Sequence, residues 1–193
     1  ELLCARIADY SFLWLDEQCR SGRLAWTRFA SATNAQKPRS SGPLRGTPIA
    51  ILPRRQLGLW HQLFDMTDPA SPKLSSRADA VLDHLRTRGA SFFDEIAQET
   101  RLLQVEVEVA LGELVARGLI QADSFAGLRA LLLPSSKRTQ RFARRVQRAQ
   151  LLGIADAGRW SLTPAATIQA TRTETATTHA FVEHAARCLL RRY

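Results

Sequence analysis

The chain has 193 residues, of which 45% are hydrophobic and 23% charged, a globular balance that excludes a mostly disordered or collagen-like polymer. It carries 27 basic and 18 acidic side chains, a net charge of +9 that favours a polyanionic partner. No run of about 18 apolar residues occurs, so no segment reads as a transmembrane helix.

Only Lys37, Lys73 and Lys137 are lysines; every other cation is Arg. Arg pairs bidentately with phosphate and carboxylate, although a GC-rich genome raises Arg equally well. The cysteines Cys4, Cys19 and Cys188 are far apart and form no Cys-x-x-Cys, which points to a reducing, cytoplasmic setting without a disulfide framework or zinc ribbon. The opening Glu1-Leu2-Leu3-Cys4-Ala5-Arg6 is unlike a signal peptide, and Met66 is the only Met. These features lead us to expect a piece of a longer polypeptide.

Taken in chain order, Tyr10 to Cys19 contains Phe12, Leu13 and Leu15, with Asp16 and Glu17 on other faces, and reads as a helix with a stop at Gly22. Leu24 to Phe29 alternates as a strand, residues 31–46 form a mobile Ser/Pro/Gly loop, and Thr47 to Leu52 is a second strand. Leu57 to Phe64 is a helical turn or more, followed by a linker at Asp68-Pro69-Ala70-Ser71-Pro72. These residues, 1–70, form a helix/strand subdomain.

The strongest periodicity lies in residues 74–134. Ala78, Val81, Leu82 and Leu85 mark one helix face, ended by Gly89. Ser91-Phe92-Phe93-Asp94 starts a second helix with Phe92, Phe93, Ile96 and Ala97 inward. A third, from Gln104 to Arg117, buries Val107, Leu111, Leu114 and Val115 and stops at Gly118. Residues 119–122 and 128–132 then flank a Gly-containing turn and read as a β-hairpin. Three helices and a hairpin predict an α+β fold containing a winged helix, with the second and third helices as its helix-turn-helix. Residues 135–193 carry a basic arm and begin a further, truncated unit, with a strand at Trp160-Ser161-Leu162, a loop over 163–178 and a helix from Ala180 to Leu190.

Charge is distributed locally. Residues 76–133 hold nine acidic and six basic side chains, whereas Lys137, Arg138, Arg141, Arg144, Arg145 and Arg148 fall within twelve residues. Six cations at that spacing repel one another unless a polyanion or scattered carboxylates neutralise them.

Several blocks resemble the bacterial large helicase-related proteins (Lhr): Ala90-Ser91-Phe92-Phe93-Asp94-Glu95-Ile96, Glu108-Val109-Ala110-Leu111-Gly112-Glu113-Leu114-Val115, Gly118-Leu119-Ile120, and Asp123 to Leu131. Cys19 to Arg28, Thr47-Pro48-Ile49-Ala50, Gly158 to Leu162 and Leu189-Leu190-Arg191-Arg192-Tyr193 fit the same region. The blocks run in order from about residue 10 to the end. The resemblance implies the C-terminal extension beyond a helicase core, with winged helices and a part in DNA repair. ATP and Mg would then belong to the motor of the parent chain. The partners implied are DNA, single- or double-stranded, possible RNA, and the rest of the helicase chain.

The chemistry legible in the residues themselves is sparse. There is no G-x-x-x-x-G-K-[ST] phosphate loop. His179 and His184 flank Glu183 five residues apart, unlike the ligands of H-E-x-x-H, and read as ordinary histidines. His61 and His84 read as packing residues. No nucleophile–base pair and no metal-ligand set is defined, so no catalytic residue and no cofactor is assigned to this segment. Gln104 is the only base-reading side chain early in the third helix, and Glu106 and Glu108 follow it, so that helix reads as scaffold more than as base reader. Glu113 reads as solvated. Trp26, Trp60 and Trp160 are stacking candidates, with burial the more ordinary fate of such side chains. The six cations from Lys137 to Arg148 are the candidate nucleic-acid contacts, against a solvated helix or an interdomain strap. A winged-helix transcriptional regulator and a module of a base-excising glycosylase are the alternatives; the first lacks a basic recognition helix and the second needs a carboxylate in a base-sized pocket.

Overall fold

The computed structural model describes residues 2–29, 49–65, 74–132 and 154–164, and positions 182, 183, 186–188 and 190 near the C-terminus. The predicted loop at 31–46, the linker at 68–72, the cations at 137–148 and the segment 165–181 lie outside the described residues.

Ser75 opens the helix that the sequence marks most clearly. Its hydroxyl accepts from the Ala78 amide at 3.3 Å and so caps α4 (Ser76–Arg88). Ala78, Val81, Leu82 and Leu85 are buried along one face, as their spacing requires. Helix α5 (Phe93–Thr100) follows, and α6 (Gln104–Ala116) buries Val107, Leu111, Leu114 and Val115 against α4. At the end of α6, the Leu119 amide reaches the Leu114 carbonyl and the Gly118 amide reaches that of Val115, both at 3.0 Å. This closure needs a left-handed residue, and Gly118 supplies it at φ 69°.

Two expectations for this module fail. Ser91 does not cap α5; it pairs with Trp160 in a single antiparallel bridge. The start of α5 is held instead by Glu95, whose carboxylate accepts from the Phe92 amide at 2.7 Å. Phe92, expected inward, lies outside the helix at that cap position and is 47% exposed.

The hairpin is also replaced. Strand β3 (Ile120–Ala122) forms, but residues 125–132 coil into helix α7 (Phe125–Leu132). Leu128 and Ala130 are buried, together with Ala126 and Gly127, as on a helix enclosed by neighbours. The partner of β3 is β4 (Trp160–Leu162), antiparallel, with Gln121 opposite Ser161. A 3-10 turn (Ile154–Ala157) packs on α7 and leads into β4.

Gly127 marks the tightest approach in this layer. A Cβ there would lie 2.8 Å from Ala157 Cβ and 3.0 Å from Ala122 Cβ. Gly127→Ala gains about 1 kcal/mol of helix propensity and incurs about 1–3 kcal/mol of overpacking. Net destabilisation on urea unfolding is therefore expected, and a more stable variant would refute the packing.

The N-terminal part joins the same core. Helices α1 (Leu2–Arg6) and α2 (Phe12–Arg20) precede β1 (Leu24–Thr27), which pairs antiparallel with β2 (Ala50–Pro53). A 3-10 turn (Arg54–Gln56) then runs into α3 (Leu57–Asp65). Leu15, Cys19 and Trp26 enter the main hydrophobic cluster, and the Trp26 indole donates to the Ser124 carbonyl at 2.9 Å. Asp16 lies 2% exposed rather than on a solvent face. It accepts from the Ala126 amide at 2.8 Å and from the Arg129 guanidinium, which caps α7 from across the molecule. The described residues thus form an α+β fold, mostly helical, with two small antiparallel sheets. Among them, no helix is long and apolar enough to cross a membrane.

Candidate functional site

Helix α6 is the one that the sequence pattern marks for a reading surface. Apart from Gln104, its exposed residues are apolar: Leu103 at the N-cap, Val105 and Val109 are 72%, 60% and 57% exposed. Its first-turn carboxylate is turned to local use. Glu106 accepts from the Leu103 amide at 3.0 Å and meets Arg77 Nε at 3.1 Å. Glu113 is not solvated as expected. It accepts from the Ser75 amide at 3.1 Å, from the Ser75 hydroxyl at 2.5 Å and from Arg117 at 2.8 Å, which ties the start of α4 to α6. Gln104, the base-reading candidate early in α6, is exposed, while Glu106 and Glu113 are engaged in the fold and Glu108 is partly buried.

The other predicted residues divide clearly. Trp26 and Trp160 are 1% and 0% exposed and do not offer rings to a base. Trp60 is partly buried beside the small cluster of Ala25, Leu52 and Leu57. His61 is buried, its Nε2 lies 3.0 Å from the Thr27 hydroxyl, and Phe29 packs edge-on at 5.1 Å. Burial pushes its pKa down to about 4. His84 Nε2 lies 3.0 Å from the Ser91 hydroxyl, which itself donates to the Gly89 carbonyl. Both histidines thus serve packing. Glu183 pairs with Arg187 one helical turn on, and His179 and His184 fall outside the described residues. Among the described residues no three His, Cys, Asp or Glu side chains group to hold a metal.

A feature absent from the sequence reading lies between the β3–β4 sheet and the turn that leads into α3. An open groove of about 500 Å³ is lined by Arg54, Leu57, Gly58, Gln121, Ser161, Leu162 and Pro164. Gln121 and Ser161 face it as a cross-strand pair. Gln121 is 5% exposed, and its Oε1 has no hydrogen-bond partner. Arg54 Nε is likewise buried without an acceptor, while its terminal nitrogen lies 3.9 Å from Asp123. Arg159 holds the same carboxylate at 3.2 Å. Two guanidinium groups thus share one carboxylate, which leaves the mouth of the groove with a net positive charge. The signal was present in the sequence: Ile120-Gln121-Ala122 and Trp160-Ser161-Leu162 each set one polar residue between two apolar ones.

Comparison with known protein families gives no match for this chain, and comparison with curated proteins gives none either.

Proposed function

We propose that this chain is the nucleic-acid-binding and interdomain scaffold region of a DNA repair helicase of the Lhr type, without its motor. Residues 74–163 act as a winged helix whose wing is enlarged. The order α4, Ser91 bridge, α5, α6, β3, β4 supports this reading, because the bridge and β3 both pair with β4. In sequence, α7 and the run of cations fall between β3 and β4.

The observation that carries the scaffold role is the outward face of α6. Leu103, Val105 and Val109 suit a protein surface and offer nothing to phosphate. Contact with the polyanion falls to Lys137, Arg138, Arg141, Arg144, Arg145 and Arg148, in the segment connecting α7 to the second 3-10 turn. Their role is to neutralise phosphates and release counterions, independent of base sequence.

Reversing charge at Arg141, Arg144 and Arg145 tests the reading. The affinity of the whole chain for a mixed-sequence DNA duplex or single strand is expected to fall at low salt. The slope of log affinity against log salt should shrink by about 3. Fluorescence anisotropy measures both, and an unchanged affinity and slope would remove the basic segment from the proposal.

A further inference from the structure

We infer that the groove between the β3–β4 sheet and the start of α3 holds one nucleotide unit, its base between Leu57, Leu162 and Pro164, its edge on Gln121 and its phosphate on Arg54. This inference rests on the nucleic-acid reading above and names the place where a single unit of the strand seats.

The argument starts from two unmade hydrogen bonds. A buried amide oxygen without a donor and a buried guanidinium N–H without an acceptor are each unfavourable by about 1–3 kcal/mol. Gln121 Oε1 and Arg54 Nε are such a pair, and both residues line one groove. A ligand that relieves both must present a donor and, beyond it, an acceptor that suits a cation. Inorganic phosphate satisfies Arg54 and can donate through its P–OH, but it offers no apolar surface to Leu57, Leu162 and Pro164. An amine donates to Gln121 and leaves Arg54 without an acceptor. A nucleotide offers both, because every base edge carries an N–H donor and the phosphate is anionic.

The remaining walls agree. Leu57, Leu162 and Pro164 give apolar surface to a flat ring, and the volume of about 500 Å³ falls in the range of small-ligand sites. Ser161 adds a hydroxyl beside Gln121. Asp123 does not cancel the site's charge, since Arg159 shares it with Arg54. The groove is open at Gly58, where an added Cβ would meet nothing within 4 Å.

That opening supplies the cleanest test. Gly58→Leu adds bulk to the groove lining at a position whose Cβ meets nothing within 4 Å, and Gln121→Leu removes the amide while keeping similar bulk. Binding of AMP and CMP, and of a short mixed-sequence single strand, is measured at low salt on the whole chain, with unfolding curves recorded for each variant. Both variants are expected to weaken AMP or CMP binding about tenfold. The salt slope for the strand should stay unchanged, because neither substitution removes a cation. Strand binding that is unaffected by both variants, with no monophosphate bound, would overturn the groove while leaving the basic segment standing. Conversely, a chain that binds no strand refutes the wider reading, and monophosphate binding abolished by Gly58→Leu would still uphold the groove. Oligoglutamate binding with the same sensitivity to both variants would overturn the inference in favour of an acidic peptide.

Discussion

Asp16→Ala is expected to destabilise the protein by about 3 kcal/mol, the largest single effect of any side-chain truncation considered. The carboxylate is 2% exposed and has two tasks. It accepts from the Ala126 amide at 2.8 Å, and it pairs with Arg129, whose guanidinium also lies over the rings of Phe12 and Phe125. Removing one member of a buried pair typically costs about 3–5 kcal/mol. The lower end applies because the Arg129 side chain is 32% exposed and reaches water once released. Asp16→Asn keeps an acceptor for the helix amide and loses only the charge, so about 1–2 kcal/mol is expected. Urea unfolding of the three proteins gives the comparison. A loss below that of an ordinary exposed ion pair for Asp16→Ala would show that the clip contributes little.

Acid is expected to weaken the fold through His61. Burial depresses its folded pKa to about 4, whereas an unfolded histidine titrates near 6.5. Between these values the unfolded chain binds the extra proton and the folded chain does not. Stability from this group is therefore complete above about pH 6.5 and is lost as pH falls toward 4, by about 3 kcal/mol in all. His61→Gln retains a polar group toward the Thr27 hydroxyl and abolishes the titration. Its stability should vary less than that of the parent across this window in chemical denaturation. Parallel pH profiles for the two proteins would show that His61 accepts a proton equally readily in both states.

The parts legible in the sequence are those governed by local periodicity. Ala78, Val81, Leu82 and Leu85 sit on one face of α4, and Val107, Leu111, Leu114 and Val115 on one face of α6, as spacing alone predicts. The stops at Gly89 and Gly118 and the strand at Trp160-Ser161-Leu162 also follow from local chemistry. What failed depended on distant partners. Leu128 to Leu132 is a short apolar run, ambiguous between strand and helix, and Asp16 decided it by capping α7 from 110 residues away. Glu113 looked solvated because nothing near it in sequence shows that Ser75 arrives to meet it. The groove was missed for the same reason: Arg54, Gln121 and Ser161 converge only after β1–β2 and β3–β4 are both in place.

The link between Asp16 and Ala126 also sets a timetable for biosynthesis. Translation proceeds at roughly 5–20 residues per second, so the first helices emerge roughly 5–20 seconds before the segment that completes them. Through that interval Leu15, Cys19 and Trp26 lack the surface that later covers them. Nascent chains stalled at this stage are accordingly a natural client for a chaperone at the ribosome exit.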